Sequence, residues 1–313
     1  MKVSVYEKQK PIVRKLERHL EELPLLPAVV FKLMTLDPAQ DRYFEQVTDL
    51  IGRDPAFASR VLRVANSAAI GPNISRAGSP DAGPGTAQSP PHGITKIHDA
   101  IMRLGARGAV EVVVVHSITR VLLPRTQWER DLWIHALSVG TLARGLARYM
   151  KTPVNPDVAY LAGLLHDLGR FVLYLEAPEE LRAIDETAWE TPAQLIATEK
   201  RLCGFTHAEL GFLAAQRWQL PTDLAVLIQY HHSDPGPPLV PPQLVPLIHL
   251  VRVADWIAVL FSKRDWEHAS DDELSSLVVP HVGRLFTADA AHLVQEVRAA
   301  LAQAAAAAKE LRL

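Results

Sequence analysis

Only one stretch of this chain, Val110 to Val121, is rich enough in β-branched residues to read as a strand, and no second stretch offers it a partner. A lone strand has no ladder to complete, so the segment is expected to be helical and the chain all-α. Helical punctuation in the first hundred residues agrees. Asp54 followed by Pro55 is an N-cap and first-turn pair, and Phe57, Val61, Leu62 and Ala65 follow at helical spacing, with an end expected near Asn66 and Ser67. Residues 71–93, GPNISRAGSPDAGPGTAQSPPHG, hold so much Gly, Pro and Ser that a mobile surface loop is expected. Helical spacing resumes at Ile94, Ile97, Ile101 and Leu104 and breaks at Gly105. A boundary is expected around Pro124 to Thr126, after which a helix from Gln127 to Met150 opens the second half. The alanine-rich run Ala299 to Ala308 reads as a terminal docking helix.

Length and charge limit the functions open to such a chain. With 313 residues, two modest domains can each bury a core. A formal charge of −2 and a pI near 6.7 leave no global basic field for nucleic acid or an anionic membrane. The single cysteine, Cys203, excludes an internal disulfide and reads as a small core residue. The opening MKVSVYEKQKPIVRKLERHL has no apolar run that could serve as a signal peptide, and the expected compartment is the cytoplasm. Val245 to Phe261 is nearly apolar but contains His249, Arg252 and Asp255, and reads as a buried helix rather than a membrane span.

The residues that carry chemistry are histidines and aspartates on apolar helical stripes. His135 shares a stripe with Val139, Leu142 and Leu146 and points inward, although a lone inward histidine is commonly a hydrogen-bonded core residue. His166 and Asp167 are adjacent in the middle of the helix PDVAYLAGLLHDLGRFVLYL, where an ionised carboxylate is costly unless paired or metal-bound. Such a pair can give one ligand each to neighbouring ions, with the carboxylate bridging both. Arg170 follows on the same face; it is placed to hold a phosphate oxygen or, equally on local evidence, to snorkel at a helix flank.

His207 follows Thr206, a possible N-cap, on a stripe that does not settle its direction. His231 and His232 end a helix; a solvated polar terminus is the alternative to a ligand pair. Asp255 falls on a stripe with Leu244, Ile248 and Val251 and wants a cation. Five imidazoles and two carboxylates spread over separate helices are what a closed or dinuclear site inside a bundle requires. The competing reading is that these histidines merely fill a core.

The order H…HD…H…HH…D resembles the ligand order of the HD phosphohydrolase superfamily, especially its HD-GYP branch, whose dinuclear sites cleave cyclic dinucleotides. A closer resemblance is to the HDOD domain (HD-related output domain). LPLLPAVVFKLM from Leu23, GRDPAFASRVLRVANSA from Gly52 and ITKIHDAIMRLGARGAVEVV from Ile94 look like its N-terminal half. WIHALSVGTLA, AYLAGLLHDLGRFVLYL, ATEKRLCGFTHAELGFLAAQRWQLP, IQYHH and LVRVADWIA look like its HD-related half. The resemblance covers roughly residues 20 to 262. It implies an all-α fold in which an N-terminal helical subdomain packs on a C-terminal HD-type bundle. The implied division is an N-terminal helix over 1–22, the first subdomain over 23–125, the metal-binding subdomain over 126–265 and a helical extension over 266–313.

The resemblance also implies a ligand set: His135 as the lone upstream ligand, His166 and Asp167 as the HD pair, His207 next, then His231 and His232, and Asp255 last. Arg170 stands where HD-GYP enzymes have a phosphate-binding lysine, and the chain continues after the histidine pair as SDPGPP, without the GYP tripeptide. Asp131, one turn before His135, and Glu199, ahead of His207, are further candidates, as supports behind a ligand or as surface groups. The implied cofactor is one or two divalent transition-metal ions, with iron, manganese, zinc, cobalt and nickel all suited to mixed imidazole and carboxylate donors. Two functions follow. One is a signalling or regulatory module with a protein partner, its metal stapling the bundle. The other is a metal-dependent phosphohydrolase acting on a cyclic dinucleotide or nucleotide, with Asp167 and Arg170 at the reacting phosphate. The neutral charge balance argues against DNA binding by the helix pair within Ile94 to Val115.

Overall fold

The computed structural model describes residues 27–66, 94–122, 124, 126–187, 189, 191–233, 239–262, 266, 268–282 and 285–311. The expected helix over 1–22 and loop over 71–93 lie outside the described residues, as do Ser67 and the 234–238 part of the segment after the histidine pair. Among the described residues the secondary structure is helical, and the β-type pairing is an isolated bridge between Met150 and Phe286. The chain separates into two compact units, Leu25–Leu123 and Pro124–Leu313.

The first unit contains α1 (Ala28–Thr35), α2 (Tyr43–Gly52), α3 (Pro55–Ala65), α4 (Ile97–Leu104) and α5 (Ala106–Val121). Asp54 caps α3 as its sequence suggests, accepting from the backbone N–H of Ala56 at 2.8 Å and of Phe57 at 3.3 Å. The β-branched run is helix α5, against which the other four helices pack. Ala109, Val110, Val113, Val114 and Ile118 are buried on it. Burial on several sides at once outweighs the few tenths of a kcal/mol per residue that valine costs a helix, roughly 0.5. The Asn66 side chain donates to the carbonyl of Ile94 at 2.8 Å and accepts from its N–H at 2.7 Å, tying the end of α3 to the approach to α4.

The second unit is built around α6 (Gln127–Ala147), which opens on a reciprocal cap: Thr126 accepts from the Glu129 N–H and its own N–H donates to the Glu129 carboxylate. The helix ends at Ala147, three residues short of the sequence expectation. Around it come α7 (Pro156–Leu165), α8 (Leu168–Glu176), α9 (Pro178–Asp185), α10 (Pro192–Leu202), α11 (His207–Arg217), α12 (Thr222–Tyr230), α13 (Val245–Ser262), α14 (Asp271–Val282) and α15 (Ala290–Leu311). The alanine-rich C-terminal helix α15 packs on α6 through Leu293, Val294, Val297, Ala300, Leu301 and Ala304. Two segments, Pro156–Glu176 and Pro242–Ser262, are long and apolar enough to cross a membrane, but 78% and 61% of their apolar windows are buried inside this helical core.

Two close helix crossings depend on glycine. A Cβ on Gly163 of α7 would lie 2.7 Å from the Val139 carbonyl oxygen of α6, and one on Gly140 would lie 3.0 Å from the Tyr160 carbonyl oxygen. Where α8 meets α11 the backbones are closer still: a Cβ on Gly169 would overlap the His207 carbonyl oxygen, and one on Gly211 would stand 2.9 Å from the Gly169 nitrogen. A methyl group at Gly169 can be accommodated only by moving a helix. Gly169→Ala should therefore lower the urea midpoint of the second unit by the equivalent of about 3 kcal/mol. Gly108→Ala on α5, whose nearest neighbour would be 3.7 Å away, should leave the midpoint of the first unit unchanged or raise it slightly. Equal effects from the two substitutions would refute the packing argument.

Candidate metal centre

The sequence reads His166 and Asp167 as lying within one continuous helix; the chain instead breaks there. Helix α7 stops at Leu165 with His166 as its C-cap, Asp167 leaves helical geometry at φ −96° and ψ 23°, and α8 begins at Leu168. On an unbroken helix adjacent side chains diverge by about 100°. The break, closed by the Arg170 N–H on the Asp167 carbonyl at 2.8 Å, lets both side chains enter one buried space.

Around Asp167 the structure brings all seven candidate ligands together. His207 Nε2 lies 3.2 Å and His231 Nε2 3.6 Å from its Oδ1, while His166 Nε2 is 3.6 Å and His135 Nε2 3.8 Å from its Oδ2. Asp255 Oδ1 closes the second side, 3.2 Å from His135 Nε2 and 3.7 Å from His166 Nε2. The donors form two overlapping nests that share Asp167: Asp167, His207, His231 and His232, and His135, His166 and Asp167, with ligand atoms in each nest within 4.8 Å of one another. His207, whose stripe left its direction open, is fully buried, and so is His231 at the end of α12, so that helix end is not a solvated terminus.

The ring tautomers identify what the nests are for. A carbonyl oxygen only accepts, so His166 Nδ1 donates to the Gly163 carbonyl at 2.7 Å and His231 Nδ1 to the Ile228 carbonyl at 2.8 Å. His207 Nδ1 donates to both oxygens of Glu199, at 2.7 and 2.9 Å. Each ring thus turns Nε2 toward Asp167, and the Nε2 atoms of His207 and His231 face one another at 3.2 Å. Three buried polar atoms here have no hydrogen-bond partner: His166 Nε2, Asp167 Oδ1 and His232 Nδ1. Orphaned donors and acceptors are costly in a core. Cations in the two nests would give these atoms partners, His166 Nε2 in one and Asp167 Oδ1 with a His232 ring nitrogen in the other. The residues present thus fit metal ions, with Nδ1 bonds orienting His166, His207 and His231 as metal-ligating histidines require.

The charges lean the same way. Burial pushes the Asp167 carboxyl up, but the facing His166 and His207 rings pull it well below the usual range, and His135 and His166 do the same for Asp255. Burial lowers His207, yet Glu199 and Asp167 beside it hold it up at about 10; Asp167 and Asp255 likewise raise His166. Burial and neighbouring rings keep His231 and His232 below the ordinary histidine value.

Arg170 was a candidate from the sequence, whereas Asp185, Trp128 and Arg252, which support the site, escaped that reading. Arg170 is buried, donating Nη2 to Asp185 Oδ1 at 2.6 Å with Nε 3.8 Å from Asp167 Oδ2; Asp185 Oδ2 accepts the Trp128 indole N–H at 3.0 Å. Burial alone would lower the arginine, but Asp185, Asp167 and Glu199 hold it raised. Arg252 of α13 donates to the carbonyls of His231 at 2.8 Å and Ser233 at 2.5 Å, fixing the end of α12 that carries the histidine pair onto the helix that carries Asp255. An arginine inside an apolar helix three residues before Asp255 was the available signal. Of the further candidates, Glu199 is fully buried behind His207, and Asp131 is exposed and bonded to Gln127.

The HDOD domain matches residues 23–75 and 86–234, and the chain belongs to the HDOD domain family. It is 27% identical over 236 residues to a protein of Treponema pallidum (strain Nichols), a match covering 75% of this chain and 42% of that protein's length. Among solved structures it is similar to an HDOD domain protein of unknown function from Geobacter sulfurreducens, with 25% identity, a TM-score of 0.67, and 98% and 99% of the two chains covered. A proposed phosphohydrolase from Shewanella amazonensis SB2B shares the fold at 23% identity and a TM-score of 0.65, with 95% and 98% covered.

In chelator-stripped protein the raised His207 contributes stability that is complete below the unfolded histidine value of 6.5 and is lost as pH rises toward about 10. Urea midpoints of the stripped protein should fall across that window. Metal-loaded protein should hold or gain stability over the first half of it, because ligands bind deprotonated. Parallel curves for the two forms would contradict this account.

Proposed function

We propose that the chain is a signalling or regulatory HDOD module whose HD-like part binds one or two divalent transition-metal ions through His135, His166, Asp167, His207, His231, His232 and Asp255. The observation that carries the reading is the convergence of imidazole Nε2 atoms, their Nδ1 positions already bonded, on one buried carboxylate with an unpartnered oxygen. Iron, manganese, zinc, cobalt and nickel all suit such donors. The module works in the cytoplasm with a protein partner in a signalling pathway, and neither DNA nor a membrane is its target. The division at 1–22, 23–125, 126–265 and 266–313 is part of this reading, supported by the separation of compact units between Leu123 and Pro124.

A second reading is supported by Arg170 beside Asp167 and by His135, whose side chain keeps 19% of its exposure. It is a phosphohydrolase for a cyclic dinucleotide or nucleotide. Bound divalent ions would supply Lewis-acid charge for phosphoester cleavage. Asp167 would bridge the two ligand nests, Arg170 would face a phosphate oxygen, and the His135 side would admit the substrate.

Purified protein should contain one to two equivalents of first-row transition metal, and His166→Ala and Asp167→Ala should each lose most of it; less than about a tenth of an equivalent after metal-supplemented expression would refute the metal site. Metal-loaded protein that leaves bis(p-nitrophenyl) phosphate, nucleotides and cyclic dinucleotides intact beside an active control decides for the regulatory module. Cleavage lost in Asp167→Ala decides for the phosphohydrolase.

A further inference from the structure

The three fully buried histidines are oriented by two different devices. His166 and His231 end helices α7 and α12, where the carbonyl three residues back is open to accept Nδ1–H. His207 begins helix α11, and no helical carbonyl lies behind it. Its Nδ1 partner comes from another helix, α10. Glu199 is fully buried, accepts His207 Nδ1–H on both oxygens and accepts the His207 backbone N–H at 3.0 Å. A buried carboxylate is an expensive way to fix a tautomer that a neutral carbonyl fixes elsewhere. What it adds is charge, which makes the opposite nitrogen a stronger donor.

We propose that Glu199 is a positioning residue for the nest formed by Asp167, His207, His231 and His232, setting its affinity for a divalent ion separately from the nest of His135, His166 and Asp167. The proposal rests on the metal reading above. Glu199 touches His207 on the side away from the other donors, so its influence reaches one nest directly. Gln keeps the shape and one acceptor oxygen, which can still take the His207 N–H groups that Oε2 takes now, and it removes the charge and the second acceptor.

The test is a competition titration of the full-length protein with Co2+ against a chelator, following ligand-field absorption. Glu199→Gln should weaken one equivalent by about 10- to 100-fold and shift its spectrum. The other equivalent should stay close to wild type, while the melting temperature of stripped protein should fall, because Glu199 is one of the charges that hold His207 raised. Equal weakening of both equivalents overturns the proposal in favour of a purely structural role. A variant that matches a metal-binding wild type overturns it alone, whereas a wild type that takes up no Co2+ overturns the metal reading as well. Should Glu199→Gln not fold, 15N spectra of wild-type protein loaded with Zn2+ replace it. A protonated Nδ1 and a metal-shifted Nε2 on His207 support the proposal, and a metallated Nδ1 overturns it.

Discussion

A carboxylate buried among imidazole nitrogens persists only if positive charge lies among them, and Asp167 imposes that condition on the whole second unit. Its two oxygens face different pairs of rings: His207 and His231 on one side, His135 and His166 on the other. Without a cation the facing carboxylates favour a proton on His207 and His166, while burial and the neighbouring rings disfavour one on His231 and His232. Metal ions in the two nests would answer the same demand with fixed geometry and give the orphaned polar atoms partners. The fold's cost and its chemistry therefore converge on one side chain.

Helix packing delivers the donors. Glycine at 140 and 163 lets α7 lie against α6, bringing the His166–Asp167 break toward His135, and glycine at 169 and 211 lets α8 lie on α11, bringing Asp167 toward His207. Arg252 then locks the end of α12 to α13, so His231 and His232 keep a set relation to Asp255. None of these residues touches the ligand space with a side chain of its own. They decide distances that the ligands themselves cannot.

Arg170 bears on the choice between module and catalyst. Its guanidinium is buried beside Asp185, Asp167 and Glu199, with Asp185 additionally held by Trp128. A phosphate oxygen arriving there competes with a 2.6 Å ion pair already formed in low dielectric. That competition favours a site built first for integrity, with anion recognition as an added demand.

The all-helical class was legible from the chain alone, because Val110–Val121 had no strand partner and Asp54-Pro55 announced a helix start in local terms. The candidate ligand types were legible too, since polar residues on apolar stripes such as His135, Asp167 and Asp255 are costly without a purpose. Periodicity carried no information on the break at Asp167, on the direction of His207, or on Asp185, Glu199 and Arg252 as partners. These depend on contacts between residues as many as 57 positions apart, and on backbones close enough that glycine is required. Local sequence sets which side chain lies on which helical stripe, but only packing sets which stripes meet.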